Sequence, residues 1–196
     1  MRCGRYRDTI RLCDGAARIR VERLGKDSLE VATSLAQQGV ALMELEEYGL
    51  GLASFREALR IREKVWGDDD GSCGDGELHH PLVVRLLNNI GCALFEMNEL
   101  AESRLTFENA LRMQRELMKV KKNKGASLAI DDSDDPFDID PKDAYQTPLS
   151  IALALTNLGS IHLRLKDFDK SLVYFEEAVL VRMMLLYHVW KHDVLS

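Results

Sequence analysis

The chain has 196 residues, a formal net charge of −6 from 26 basic and 32 acidic side chains, and 46% hydrophobic residues. That apolar share suits a soluble chain with a continuous core, and the acidic balance, with no basic run longer than Lys119 to Lys124, argues against a nucleic-acid surface. No stretch approaches about 18 continuous apolar residues, so no membrane span is expected, and the charged start MRCGRYRDTIRLCDGAARIR has no apolar core of signal-peptide length.

Residues 5 to 24 read as a helix closed by Gly25. Asp27, with Glu30 three residues later, forms a capping-box signature and predicts a helix from about Ser28 to Leu45. A second helix follows Glu46-Glu47 and ends at Gly67. Ala16, Arg18, Ile19, Arg20 and Gly25 align with Ala58, Arg60, Ile61, Arg62 and Gly67. Residues 1–25 therefore read as the second helix of a repeat whose first helix is missing.

Residues 68–80 form a Gly- and Asp-rich segment. Asp68, Asp70 and Ser72 have EF-hand spacing, but Cys73 stands at the Gly position and His79 at the bidentate Glu position, so a solvated loop is expected. Cys73, His79 and His80 lack a fourth zinc ligand nearby. Pro81 suits a first helical turn and opens a pair over 81–97 and 100–119. Residues 121–147, containing DDSDDPFDIDPKD, are acidic and poor in apolar side chains, and are expected to be disordered. Within them Asp135 to Asp140 surround Phe137 with acids, a pattern suited to a docking motif or internal pseudo-ligand. Thr147-Pro148 restarts the helical pattern, giving a last pair over 148–165 and 168–190 joined at Lys166-Asp167. Its end, Val179 to Trp190, is apolar on nearly every side where a solenoid ordinarily has a polar cap, so another repeat or a second subunit is expected to cover it.

One spacing unites these pairs. Gly39, Phe55 and Ala58 recur as Gly91, Phe107 and Ala110, and as Gly159, Phe175 and Ala178, with sixteen residues from Gly to Phe each time. Small residues let an antiparallel helix pair approach closely, and Phe fills the space toward the next helix. The pattern resembles the tetratricopeptide repeat: Leu87-x2-Ile90-Gly91-x2-Leu94 followed by Ser103-x3-Phe107, with Leu35, Gly39, Leu42, Gly51-x3-Phe55 and Leu155, Leu158, Gly159, His162, Ser171-x3-Phe175 as its neighbours. The ending ALRIREKVWG is similar to that of kinesin light-chain repeats. The resemblance implies an all-α, right-handed superhelix of antiparallel helix pairs, with a leading helix over 1–25 and repeats over 26–67, 81–120 and 148–192.

No catalytic motif, phosphate-binding loop or dinucleotide fingerprint occurs, so an enzyme, a cofactor and a bound metal are not expected. His162 stands where the repeat pattern has Tyr and reads as a core histidine. Cys3, Cys13, Cys73 and Cys92 show no C-x2-C pairing and read as reduced thiols of a cytoplasmic protein. What remains is the face lined by the first helix of each pair. Gln37, Asn89 and Asn157 stand two residues before the repeat Gly, and a carboxamide can both donate to and accept from the backbone of an extended peptide. The resemblance implies that Asn at this position holds such peptides. Thr33, Arg85, Leu153, Ala36, Asn88, Thr156, Val40, Cys92, Ser160, Met43, Glu44, Phe95, Glu96, Leu163 and Arg164 share that face by register. Among them Arg85 and Arg164 suit an acidic ligand, and Phe95 and Met43 an apolar anchor. Family members that bind chaperone tails use a Lys and Asn clamp, which Ala36, Asn88, Thr156, Val40, Cys92 and Ser160 do not reproduce. The expected function is a non-catalytic scaffold that binds a protein or peptide segment in a concave groove, without nucleic acid or membrane. The competing expectation is a homo-oligomer formed through the C-terminal helix.

Overall fold

A computed structural model describes residues 2–67, 81–125 and 146–195. Among these the chain is all helical, with α1 (Arg2–Leu24), α2 (Leu29–Met43), α3 (Tyr48–Gly67), α4 (Pro81–Glu96), α5 (Leu100–Gly125), α6 (Gln146–Arg164) and α7 (Phe168–Leu195). The 68–80 segment, with its calcium-like and zinc-like spacings, and the Asp135–Asp140 motif lie outside the described residues. The fold is an all-α helical solenoid of the tetratricopeptide type, dividing into two compact units, Met1–Thr106 and Phe107–Ser196.

In the first unit α1 packs on α2, α2 on α3, and α3 on α4, while α2 also touches α4. Its core joins Val31 and Ala32 of α2, Leu52, Phe55, Ala58 and Ile61 of α3, and Leu86, Ile90, Ala93 and Leu94 of α4. Gly39 is the point of closest approach: a Cβ there would stand 2.5 Å from Cε1 of Phe55. In the second unit α6 packs on α7, and a Cβ on Gly159 would stand 2.8 Å from Phe175. Two copies of the repeat thus use the same small-against-aromatic contact.

The small position of the second helix has its own purpose. Ser103 donates its hydroxyl to the Gly91 carbonyl at 2.8 Å, and Ser171 donates to the Gly159 carbonyl at 2.9 Å. Gly51 holds this position in the first repeat, where a Cβ would lie 3.2 Å from the Gly39 carbonyl oxygen. Helix-to-helix turns repeat as well. Glu46, Asn98 and Lys166 have φ of 62°, 64° and 60°. Each is followed by an acid whose N–H bonds five residues back: Glu47 to Leu42 O, Glu99 to Leu94 O, and Asp167 to His162 O. This is a Schellman closure with a non-Gly residue in the left-handed position.

Several boundaries differ from expectation. Ser28, not Asp27, caps α2, its side chain accepting from Val31 N. Asp27 instead pairs at 2.7 Å with both Arg60 and Lys64 of α3, which hold its carboxyl at about 2, Lys64 contributing most. Helix α5 runs to Gly125, beyond the expected end at 119. Helix α7 likewise continues to Leu195.

Candidate functional site

In the first unit the face in question is built on α2 and α4. One helical turn is 3.6 residues, so Thr33, Gln37, Val40 and Glu44 fall in one stripe of α2, and Arg85, Asn89, Cys92 and Glu96 in the matching stripe of α4. Gln37, Val40, Glu44, Arg85 and Glu96 are exposed, while Thr33, Asn89, Cys92 and Phe95 are half-buried. The opposite sides of both helices carry Val31, Ala32, Leu86, Ile90 and Leu94 into the core, which fixes the stripe outward. Asn88, expected on this face by register, is only 6% exposed. It lies one helical step from Asn89, toward the packed side, and this step decides its burial.

The charge on this face is mixed. Arg85 is accompanied by Glu44 and Glu96, so an acidic ligand would meet one guanidinium and two carboxylates. Arg62 sits behind it, 1% exposed, with Nη1 donating to the Leu82 carbonyl at 3.0 Å. Burial, with Arg85 nearby, draws that guanidinium below its ordinary pKa.

In the second unit α6 presents Leu149, Leu153, Asn157, Ser160 and Arg164 in one stripe. Asn157 is half-buried; Leu153 and Arg164 are exposed. Thr156 donates its hydroxyl to Ala152 O at 2.7 Å, and its Oγ1 accepts from Arg182 of α7 at 3.2 Å. Arg164 is exposed on this face, as are the apolar Leu153 and Leu163 of the same helix.

His162 is a core histidine. It is 3% exposed, stacks on Tyr174 with centroids 5.3 Å apart, and turns Nδ1 toward Asp167 at 3.3 Å. Asp167 is held below the usual carboxylate range, first by its hydrogen bond from Lys170 and lastly by His162. Cys13 and Cys92 are not joined in a disulfide, and burial pushes the Cys13 thiol up. Among the described residues no group of three His, Cys, Asp or Glu is placed to hold a metal ion, and no helix is long and apolar enough to cross a membrane.

The apolar surface expected from Val179 onward begins earlier along α7. A cavity of about 500 Å³ opens on α7, lined by Leu172, Phe175, Glu176, Val179 and Leu180. Leu52, the counterpart of Leu172, is 6% exposed and Leu172 is 58% exposed, a contrast that two identical residue types do not carry in the sequence.

Residues 83–121 and 152–182 each match a family model described as Tetratricopeptide repeat. No curated protein matches the sequence. Among solved structures, the chain is similar to BtubC (BKLC) from P. vanneervenii, with 17% identity and a TM-score of 0.67 over 93% of this chain and 58% of that one. It thus spans 58% of the length of the BtubC chain. A Podosopora anserina kinesin light chain with nearly identical TPR-like repeats aligns at 10% identity and a TM-score of 0.47, over 93% of this chain and 89% of that one.

Proposed function

We propose that this chain, which carries tetratricopeptide repeats and is on that ground a protein-interaction scaffold, works without catalysis by holding an extended peptide segment of a partner against the first helices of its repeats. The observation that carries the reading is the stripe on α2 and α4, where Gln37 and half-buried Asn89 recur at one register position on adjacent helices of one unit. A carboxamide there can donate to a peptide carbonyl and accept from a peptide N–H. Phe95 supplies apolar contact area, and Arg85 can take a carboxylate of the ligand. Asn157 and Arg164 offer the same pair of functions on α6. The mixed charge around Arg85 favours a segment whose acids are few and placed to reach Arg85 while avoiding Glu44 and Glu96. Such a scaffold suits the cytoplasm.

Unbiased capture of partners with the wild type and with Asn89→Ala tests the reading. Partners retained by the wild type and lost by the variant support it, and an unchanged set removes it.

A second reading, self-association through α7, has one observation in its favour. Where α3 presents Arg60, Glu63 and Lys64, the aligned residues of α7 are Leu180, Met183 and Met184, each more than half exposed. A monomer mass that stays constant with concentration in light scattering would eliminate it.

A further inference from the structure

Arg62 carries a charge that its packing does not require. It is buried, and Nη1 donates to the neutral Leu82 carbonyl at 3.0 Å at the start of α4. Arg20, at the aligned position, donates to Glu30 O at 3.1 Å and to the Ser34 hydroxyl at the start of α2. Gln114 holds the same position in the next repeat, twenty-three residues past the repeat Gly (39 to 62, 91 to 114), and bonds the Ser150 hydroxyl with no charge at all. A donor is what the position needs. The start of α2 also supplies an acid, Glu30, whereas the first turn of α4 has none. Among the described residues no carboxylate pairs with Arg62, nor with Arg85 one turn beyond Leu82. A buried charge without a counter-charge is costly, and an anion brought beside it relieves that cost.

The far end of the same stripe has the opposite sign. Glu44 caps the C-terminus of α2 and Glu96 is the last residue of α4. Acids are unfavourable at the negative end of a helix, and neither helix has a basic residue in its last turn, whereas Arg164 ends α6 with the favourable sign. The Tyr48 phenol is raised by burial and then by Glu46 and Glu96, so the Glu96 carboxylate lies near the turn that carries Glu44. Helix α2 contains no Lys or Arg, and Arg85 is the sole cation of α4.

We infer that the segment held by this stripe is a bipolar peptide, with an acidic side chain on Arg85 at the start of α4, backed by the buried charge of Arg62, and a basic side chain between Glu44 and Glu96. The inference rests on the reading of the stripe as a peptide groove and states the chemistry of its ligand. Arg85 and Glu96 are eleven residues apart, about 16 Å along a helix, which an extended peptide spans in about five residues. Because Arg62 is shielded from solvent, its attraction for the acid is screened less by salt than that of exposed Arg85.

A random peptide display library is selected on the wild-type chain, and one selected peptide is synthesised with its acid intact and with that acid replaced by its amide. Selected sequences should carry Lys or Arg about four to six residues from Asp or Glu. Arg62→Gln, which places the side chain of Gln114 at the aligned site, should weaken the acid peptide about threefold or more and leave the amide peptide unchanged. Glu44→Lys with Glu96→Lys should weaken the selected peptide about tenfold, and changing the basic residue of the peptide to Glu should restore binding. Both acids are exposed, so circular dichroism should not change. Selected peptides that require Asn89 but lack the charge pair, or that ignore the Glu44/Glu96 reversal, overturn this inference and leave the groove standing. An Arg62→Gln loss equal for the acid and amide peptides, or no loss for either, also overturns it. Peptides indifferent to Asn89→Ala, or a selection that yields no binder, overturn both readings.

Discussion

The ring of Phe55 occupies the space in which a side chain on Gly39 would begin, with Cε1 2.5 Å from the position of a Cβ. Both residues are buried, and the ring belongs to the core that joins α2, α3 and α4. A methyl group at residue 39 must therefore displace packed aromatic carbon. Gly39→Ala is expected to destabilise the chain by about 1–2 kcal/mol, the overpacking cost of about 1–3 kcal/mol being partly offset by the better helix propensity of Ala. Denaturant midpoints measure this. Phe55→Leu in the same chain should absorb part of the loss, so the two changes should be less than additive.

Gly51 offers the opposite case. Its counterparts Ser103 and Ser171 each donate to the carbonyl of the repeat Gly, and a Cβ at residue 51 would meet the Gly39 carbonyl oxygen at 3.2 Å and the flexible Met43 side chain at 3.4 Å. Gly51→Ser should supply the missing hydrogen bond and raise stability by about 1 kcal/mol, through that bond and the lower backbone entropy. Thermal or denaturant unfolding gives the sign. A loss of stability would mean that the Gly39 carbonyl or Met43 cannot yield.

Asp27 links the α1–α2 turn to α3 through Arg60 and Lys64. Its folded pKa of about 2 lies below the ordinary value of 3.8, so the folded state prefers the carboxylate. The resulting stabilisation is fully present above the ordinary value and is lost as the pH falls toward 2. Asp27→Asn should be less stable than the wild type at neutral pH, and the difference should shrink between about pH 4 and pH 2. Urea unfolding of both chains across that range measures it, and a difference that stays constant with pH would show that the carboxylate is not responsible.

The packing skeleton was legible because steric needs select residue types. Gly39 and Phe55 must be small and large at a fixed spacing, and the same demand returns at Gly159 and Phe175. Other features were hidden because residue type does not determine them. Glu46, Asn98 and Lys166 adopt the left-handed conformation without being Gly, and only their common place in the register marks them. Asp27 and Ser28 can both cap a helix; Ser28 does so, while Arg60 and Lys64 engage Asp27. On the candidate face, Asn88 and Asn89 are indistinguishable as letters. A rotation of one residue places the first inside and the second at the surface. The identity of Arg20 and Arg62 was visible by alignment, but their carbonyl partners across the helix boundary were not.

Peptide binding by the α2 and α4 stripe can be measured without knowing the natural partner. A random peptide display library is selected on the wild-type chain, and the Kd of a selected peptide is compared for the wild type, Asn89→Ala and the outer-surface variant Ala53→Ser. Two carboxamide hydrogen bonds are worth about 1–2 kcal/mol together, so Asn89→Ala should weaken binding about tenfold while Ala53→Ser leaves it unchanged. Peptides that bind both variants as tightly as the wild type would contradict the groove as the binding site.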